Sequence, residues 1–196
     1  MADIVTDRIA KWFAEHNDGE FARPARTHPY TVIVPAPSTR TVLYTTKPQC
    51  VLYPLARCDT TLPIAMVGRY GLPNEEDVAW LRGLAGDRVV CFLGDADPAD
   101  LLVFTWLRSQ MAVTYAGVND SLMSKIGVRW TDGVSVPLAD SESAALPLLA
   151  ELCPNFRALL GAQCAGLLDR GRKLEVEGVT SLSNVGGQTF VNALTP

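Results

Sequence analysis

Val89-Val90-Cys91-Phe92-Leu93-Gly94-Asp95-Ala96-Asp97-Pro98 is the stretch whose reading decides the fold. Five apolar residues in a row read as a strand buried on both faces, the pattern of a parallel sheet. Ala99 to Gln110 then carries helical periodicity, so Asp95 and Asp97 fall where a strand ends and a helix begins. In an open α/β sheet that carboxyl edge is where ligands bind. Two carboxylates one residue apart on such a turn can share a hard divalent cation such as Mg²⁺ and bring it to a phosphate. The same residues also spell a helix start, with Asp97 as cap and Pro98 at the first helical position. From sequence, both readings of the pair stay open.

Working outward, Ile64-Ala65-Met66-Val67-Gly68 is a second short buried strand, and Asn74 with Glu75-Glu76-Asp77 opens a helix running to about Leu84. Thr31-Val32-Ile33-Val34 and Thr41-Val42-Leu43-Tyr44-Thr45 are β-branched runs separated by Pro35-Ala36-Pro37-Ser38. A further strand is expected at Ala112 to Ala116, and a short helix over Gln49 to Ala56 despite Pro54. Ile4, Val5, Ile9, Trp12 and Phe13 form a stripe that predicts an amphipathic helix over residues 3–14. Strands near 41–45, 64–68, 89–93 and 112–116, alternating with helices, predict one parallel sheet.

The C-terminal third reads differently. Val134-Ser135-Val136 is an expected edge strand, and Ser141 is placed to cap a helix from Glu142 to about Leu152. A continuous helix from Pro154, striped by Phe156, Leu159, Leu160, Gln163, Cys164, Leu167 and Leu168, is expected to end at Gly171. Glu175 and Glu177 follow. The division expected is an N-terminal helix and loop over 1–30, an α/β domain over 31–180, and a loosely packed polar tail over 181–196.

Composition narrows the function classes. The 196 residues are 48% hydrophobic, which is ample for a real core, and the formal charge of −4 provides no global basic field for nucleic acid. No apolar stretch approaches the ~20 residues that span a bilayer, and Met1 to Phe13 carries charges throughout, so a cytoplasmic chain is expected. Five cysteines form no Cys-x-x-Cys pair, and with only His16 and His28 available zinc spacing is absent. Cys91 and Cys164 fall on expected core faces, where a thiol acts as a small hydrophobe.

Val67-Gly68-Arg69-Tyr70-Gly71-Leu72-Pro73, a helix, and Phe92-Leu93-Gly94-Asp95-Ala96-Asp97-Pro98-Ala99-Asp100-Leu101 together resemble a Toprim domain. The nearest branch is that of topoisomerase VI and of the C-terminal domain of the Wadjet-type defence nuclease. The likeness is clearest over 62–118 and looser over 40–180. It implies a Rossmann-like sheet of about four parallel strands between helices, with an acidic cluster that binds Mg²⁺ and works on nucleic-acid phosphodiesters. Asp95 and Asp97 match the metal-binding pair, and Glu175 or Glu177 matches, loosely, an acidic motif near the end of some members.

The chain departs from that family in one place. Where the resemblance puts a glutamate directly after the first strand, Thr46 and Lys47 stand, and no glutamate lies between Glu20 and Glu75. A lysine there repels a cation and attracts a phosphate. Nothing upstream resembles the module that supplies a nucleophilic tyrosine, so strand transfer through Tyr30 or Tyr44 is not expected. Three readings follow: a divergent Toprim-like domain acting on or binding nucleic acid inside a larger assembly; a non-catalytic α/β subunit that docks a protein partner; and a phosphotransferase similar to the haloacid dehalogenases. That last family also uses an Asp-x-Asp after a strand, but near its N-terminus.

Overall fold

The computed structural model describes residues 2–16, 30–33, 35–48, 50–51, 64–128, 132–182 and 187–194. It is an α/β fold of Rossmann-like layout. The main sheet contains β1 (Tyr30–Ile33), β2 (Thr41–Thr45), β3 (Ile64–Gly68), β4 (Val89–Leu93) and β5 (Thr114–Tyr115), in the order β1-β3-β2-β4-β5. Four of these strands are parallel. β2 runs beside β3 from Thr41↔Ile64 to Thr45↔Gly68 and beside β4 from Thr41↔Val89 to Thr45↔Leu93, while β4 meets β5 at Cys91↔Thr114. β1 joins the outer edge antiparallel to β3, with an irregularity between Thr31 and Ile33.

The continuous apolar runs form strands because both faces of the sheet are covered: all five residues of β2 and of β3 are buried. On the helical side, α1 (Ala2–Glu15) buries Ile9 and Phe13 in the core and packs on α3 (Pro98–Gln110). α2 (Glu75–Ala85) starts from a capping box in which the Asn74 side chain and the Asp77 carboxylate each accept the other's backbone N–H. Arg69, just past β3, donates to Asp77 at 2.8 Å and ties the start of that helix to the sheet edge. Phe92 on β4 packs on Tyr44, Phe104 and Tyr115, with ring centroids 5.7–6.3 Å apart. These rings fill the space between the central strands and α3.

β2 lies between β3 and β4, so the chain leaves β2 toward one side of the sheet and leaves β4 toward the other. The carboxyl ends of β2 and β4 therefore flank a topological switch point, the crevice where open α/β sheets place ligands.

Beyond β5 come α4 (Asp120–Lys125), β6 (Val136–Pro137), α5 (Asp140–Leu152), α6 (Phe156–Leu160), α7 (Ala162–Asp169), β7 (Arg172–Lys173), α8 (Val176–Leu182) and α9 (Gly187–Leu194). Three expectations need correction. The helix cap near 141 is Ala139, whose N–H donates to Glu142 at 2.8 Å, and Ser141 lies inside the helix. The helix expected to run unbroken through 156–168 breaks at Gly161, which adopts φ +84°; a Cβ there would sit 2.4 Å from the Asp120 carboxyl carbon. Asp120 uses that space to accept the amides of Gln163 and Cys164, both at 2.9 Å, and so caps α7 from another part of the chain. The polar tail expected over 181–196 contains α9, which buries Phe190, Val191 and Leu194. The expected edge strand shifts slightly, to Val136–Pro137 paired antiparallel with Arg172–Lys173. Of the short helix expected over 49–56, Cys50 and Val51 are helical and the rest lies outside the described residues. His28 also lies outside them.

Candidate functional site

The Asp95-Ala96-Asp97 turn begins where β4 ends. Gly94 lets it form: a Cβ there would meet the Asp100 carboxylate and the Phe92 ring at 2.7 Å each. Asp97 is the N-cap of α3, accepting the Asp100 N–H at 2.7 Å, with Pro98 at the helix start. Capping and clustering are thus the same geometry. Asp100, one turn in, folds its carboxylate back to accept the Asp95 N–H at 2.6 Å. Asp95 in turn accepts the Val176 N–H at 2.7 Å. Among the described residues, Asp95, Asp97 and Asp100 form a buried set whose ligand oxygens all lie within 4.8 Å of one another.

The charge of this set is answered by two lysines. Lys47, immediately past β2, places Nζ 3.0 Å from Asp95 Oδ2, and Thr46 donates its hydroxyl to Asp100 at 3.0 Å. Lys173, from β7, lies 3.8 Å from Asp97 Oδ2 and closer to Glu142 and Glu175, at 2.7 and 3.1 Å. Ala96 donates to the Leu174 carbonyl at 2.8 Å, locking the C-terminal segment against the turn. Tyr115 donates its hydroxyl to the Asp95 and Val118 carbonyls, both at 3.3 Å.

Burial disfavours the charged form of each carboxylate, and the neighbouring carboxylates add to it. Asp95 is raised to about 6, chiefly by burial and then by Asp100, against the opposing pull of Lys47 and the Val176 amide. Asp97 is raised well above the ordinary range by burial, Asp100 and Asp95. Burial alone would lower Lys47, but the fields of Asp100, Asp95 and Asp97 reverse this and hold it above the usual lysine range. Lys173 is raised for the same reason, burial being outweighed by Asp97 and Glu142.

No protein-family model and no curated protein matches this chain.

Of the acids singled out from sequence, Asp95 and Asp97 come together at the crevice. Glu175 faces Lys173 rather than the aspartates, and Glu177 is exposed, with its carboxylate 3.8 Å from the Cys50 thiol. The third acid of the cluster is Asp100, which sequence reasoning did not select. A signal for it exists: an acid three residues after an N-cap is at the spacing from which a side chain reaches back over the helix start.

Three carboxylates supply hard oxygen donors, whose chemistry suits a hard divalent cation. In Asp95 and Asp97 one oxygen is bound by a backbone amide and the other faces an ammonium. A divalent ion placed there would draw on Asp95, Asp97 and Asp100, and would supply a Lewis acid toward a phosphate oxygen. No helix among the described residues is long and apolar enough to cross a membrane.

Proposed function

We propose that this chain is a divergent Toprim-like module, cytoplasmic and part of a larger assembly, that uses Mg²⁺ at Asp95, Asp97 and Asp100 to bind nucleic-acid phosphodiesters with little or no catalysis of its own. The observation that carries this reading is the buried aspartate triad at the switch point, with Lys47 rather than an acid extending from the neighbouring strand. Phosphodiester cleavage needs a group that moves a proton, an effect worth typically ~10²–10⁴-fold when that group titrates near the working pH. Lys47 is held above its usual range and so stays protonated at neutral pH. Glu175 is tied to Lys173 and Glu177 points outward. Neither supplies that group, and Asp95, which ionises at about 6, is in this reading committed to the metal.

The test is incubation of the purified chain with supercoiled plasmid and single-stranded DNA, with Mg²⁺ or Mn²⁺ present. Metal-dependent retention of DNA without strand breaks is the expected result. Cleavage abolished by Asp95→Asn but not by the exposed Asp140→Asn would place the chain among the enzymes. Absence of any DNA retention would remove the nucleic-acid part of the proposal. The alternative, a protein-docking α/β module, draws support from the same lysines, which give the acidic crevice internal counter-charges. Its signature is partner binding that is indifferent to chelator.

A further inference from the structure

Lys47 and Lys173 meet the aspartates on unequal terms. Lys173 is 15% exposed and pinned by Glu142 and Glu175, at 2.7 and 3.1 Å. Lys47 is 34% exposed, and among the described residues its ion pair is with Asp95, at 3.0 Å. The backbone beneath it is fixed, because the Lys47 N–H donates to the Thr45 hydroxyl and Thr46 bonds Asp100, both at 3.0 Å. Only the four-carbon stem is left to move, and it has a path to solvent.

We propose that Lys47 is a tethered cation that closes the aspartate site to free divalent metal and yields it when a phosphate draws its ammonium outward. The oxygen that Lys47 holds, Asp95 Oδ2, is the one left over once Val176 has taken Oδ1. The carboxylates are already aimed, since Asp95, Asp97 and Asp100 each accept a backbone amide at 2.6–2.7 Å. A divalent ion seated on Asp95 Oδ2 would lie within a few ångströms of the ammonium, and like charges at that range exclude one another. Lysine is also a compact point-charge binder of phosphate on a flexible stem. A phosphodiester arriving at the crevice mouth therefore offers the ammonium a second anion and frees Asp95 Oδ2 for metal. Metal and phosphate binding then become reciprocal, each raising the affinity for the other. The tether rests on the metal-site reading above and the release step on its phosphodiester part.

The experiment is calorimetric titration of Mn²⁺ into the full chain. Lys47→Met should bind Mn²⁺ at least about tenfold more tightly than wild type, because no fraction of its site is occupied by the ammonium. Lys47→Arg keeps the charge and should stay within about threefold of wild type. Lys47→Gln carries the same test if the Met variant melts early. Adding saturating oligothymidylate should raise the Mn²⁺ affinity of wild type by a larger factor than that of Lys47→Met, because only wild type has an ammonium to release. A folded Lys47→Met or Lys47→Gln that binds Mn²⁺ no more tightly than wild type overturns the tether. A gain in the variant, with bound oligothymidylate raising both affinities by the same factor or neither, overturns the release step. Failure of oligothymidylate to bind at all counts against the proposed function and against release, and leaves the tether standing on the metal titration.

Discussion

Replacing Asp95 with Asn should stabilise the protein, and more so at higher pH. Asn keeps an acceptor for the Val176 amide, now bound at 2.7 Å, and removes a charge that the fold resists. The Asp95 carboxyl ionises at about 6 in the folded protein against an ordinary 3.8. At ~1.4 kcal/mol per unit that displacement destabilises the native state by about 3 kcal/mol once the pH is well above both values. The sign follows from proton binding. The folded state holds a proton that the unfolded chain has already released, so this part of the stability is present below about pH 4 and is lost as pH rises through about 6. Roughly half of it, about 1–2 kcal/mol, is lost between pH 5 and pH 8. The variant forfeits the ion pair to Lys47, but that ammonium is one-third exposed and can turn to water, a loss of order 1 kcal/mol or less. Urea unfolding followed by circular dichroism, with chelator present, should therefore show the gap between Asp95→Asn and wild type widening by roughly 1–2 kcal/mol from pH 5 to pH 8. In melting temperature this is about 3–6 °C for a chain of this size. A gap that stays constant or narrows with rising pH would refute the account of the site as a strained cluster of carboxylates.

Both Asp97→Ala and Asp97→Asn remove a buried charge, but only Asn keeps the cap on α3, so Asp97→Ala should be about 1 kcal/mol less stable than Asp97→Asn by urea midpoints; equal stabilities would remove the cap from the explanation. In calorimetry Asp97→Asn should still weaken Mn²⁺ binding. Gly94→Ala drives a methyl to 2.7 Å from both the Asp100 carboxylate and the Phe92 ring, so it should cost about 1–3 kcal/mol and weaken Mn²⁺ binding as well; an unchanged melting temperature would show that the turn has room to spare.

The parallel sheet was legible because its strands are short and buried on both faces, leaving continuous apolar runs such as Val89 to Leu93 that resemble little else. The caps at Asn74 and Asp97 were legible because capping is local chemistry. What was not legible depends on partners distant in sequence. The Lys47–Asp95 pair requires β2 to lie beside β4, an adjacency that no local periodicity encodes. The break at Gly161 depends on Asp120, far upstream, so the apolar stripe from Phe156 to Leu168 looked like one helix. In α9 the three buried residues sit among polar ones, and composition concealed a helix that packing reveals.

The bond from the Val176 amide to Asp95 spans 81 positions, and the Ala96–Leu174 contact beside it spans almost as many. During synthesis the four parallel strands and α3 exist long before the segment that completes the crevice. Until residues 172–176 dock, Asp95 lacks its amide donor and Asp97 lacks Lys173, while the neighbouring carboxylates repel one another. A nick between α4 and β7 that let the C-terminal part drift away would leave Lys47 to answer the three aspartates without Lys173 and without the Val176 amide. The last third of the chain is thus tied to the Rossmann-like core, although none of its described residues forms a strand of the main sheet.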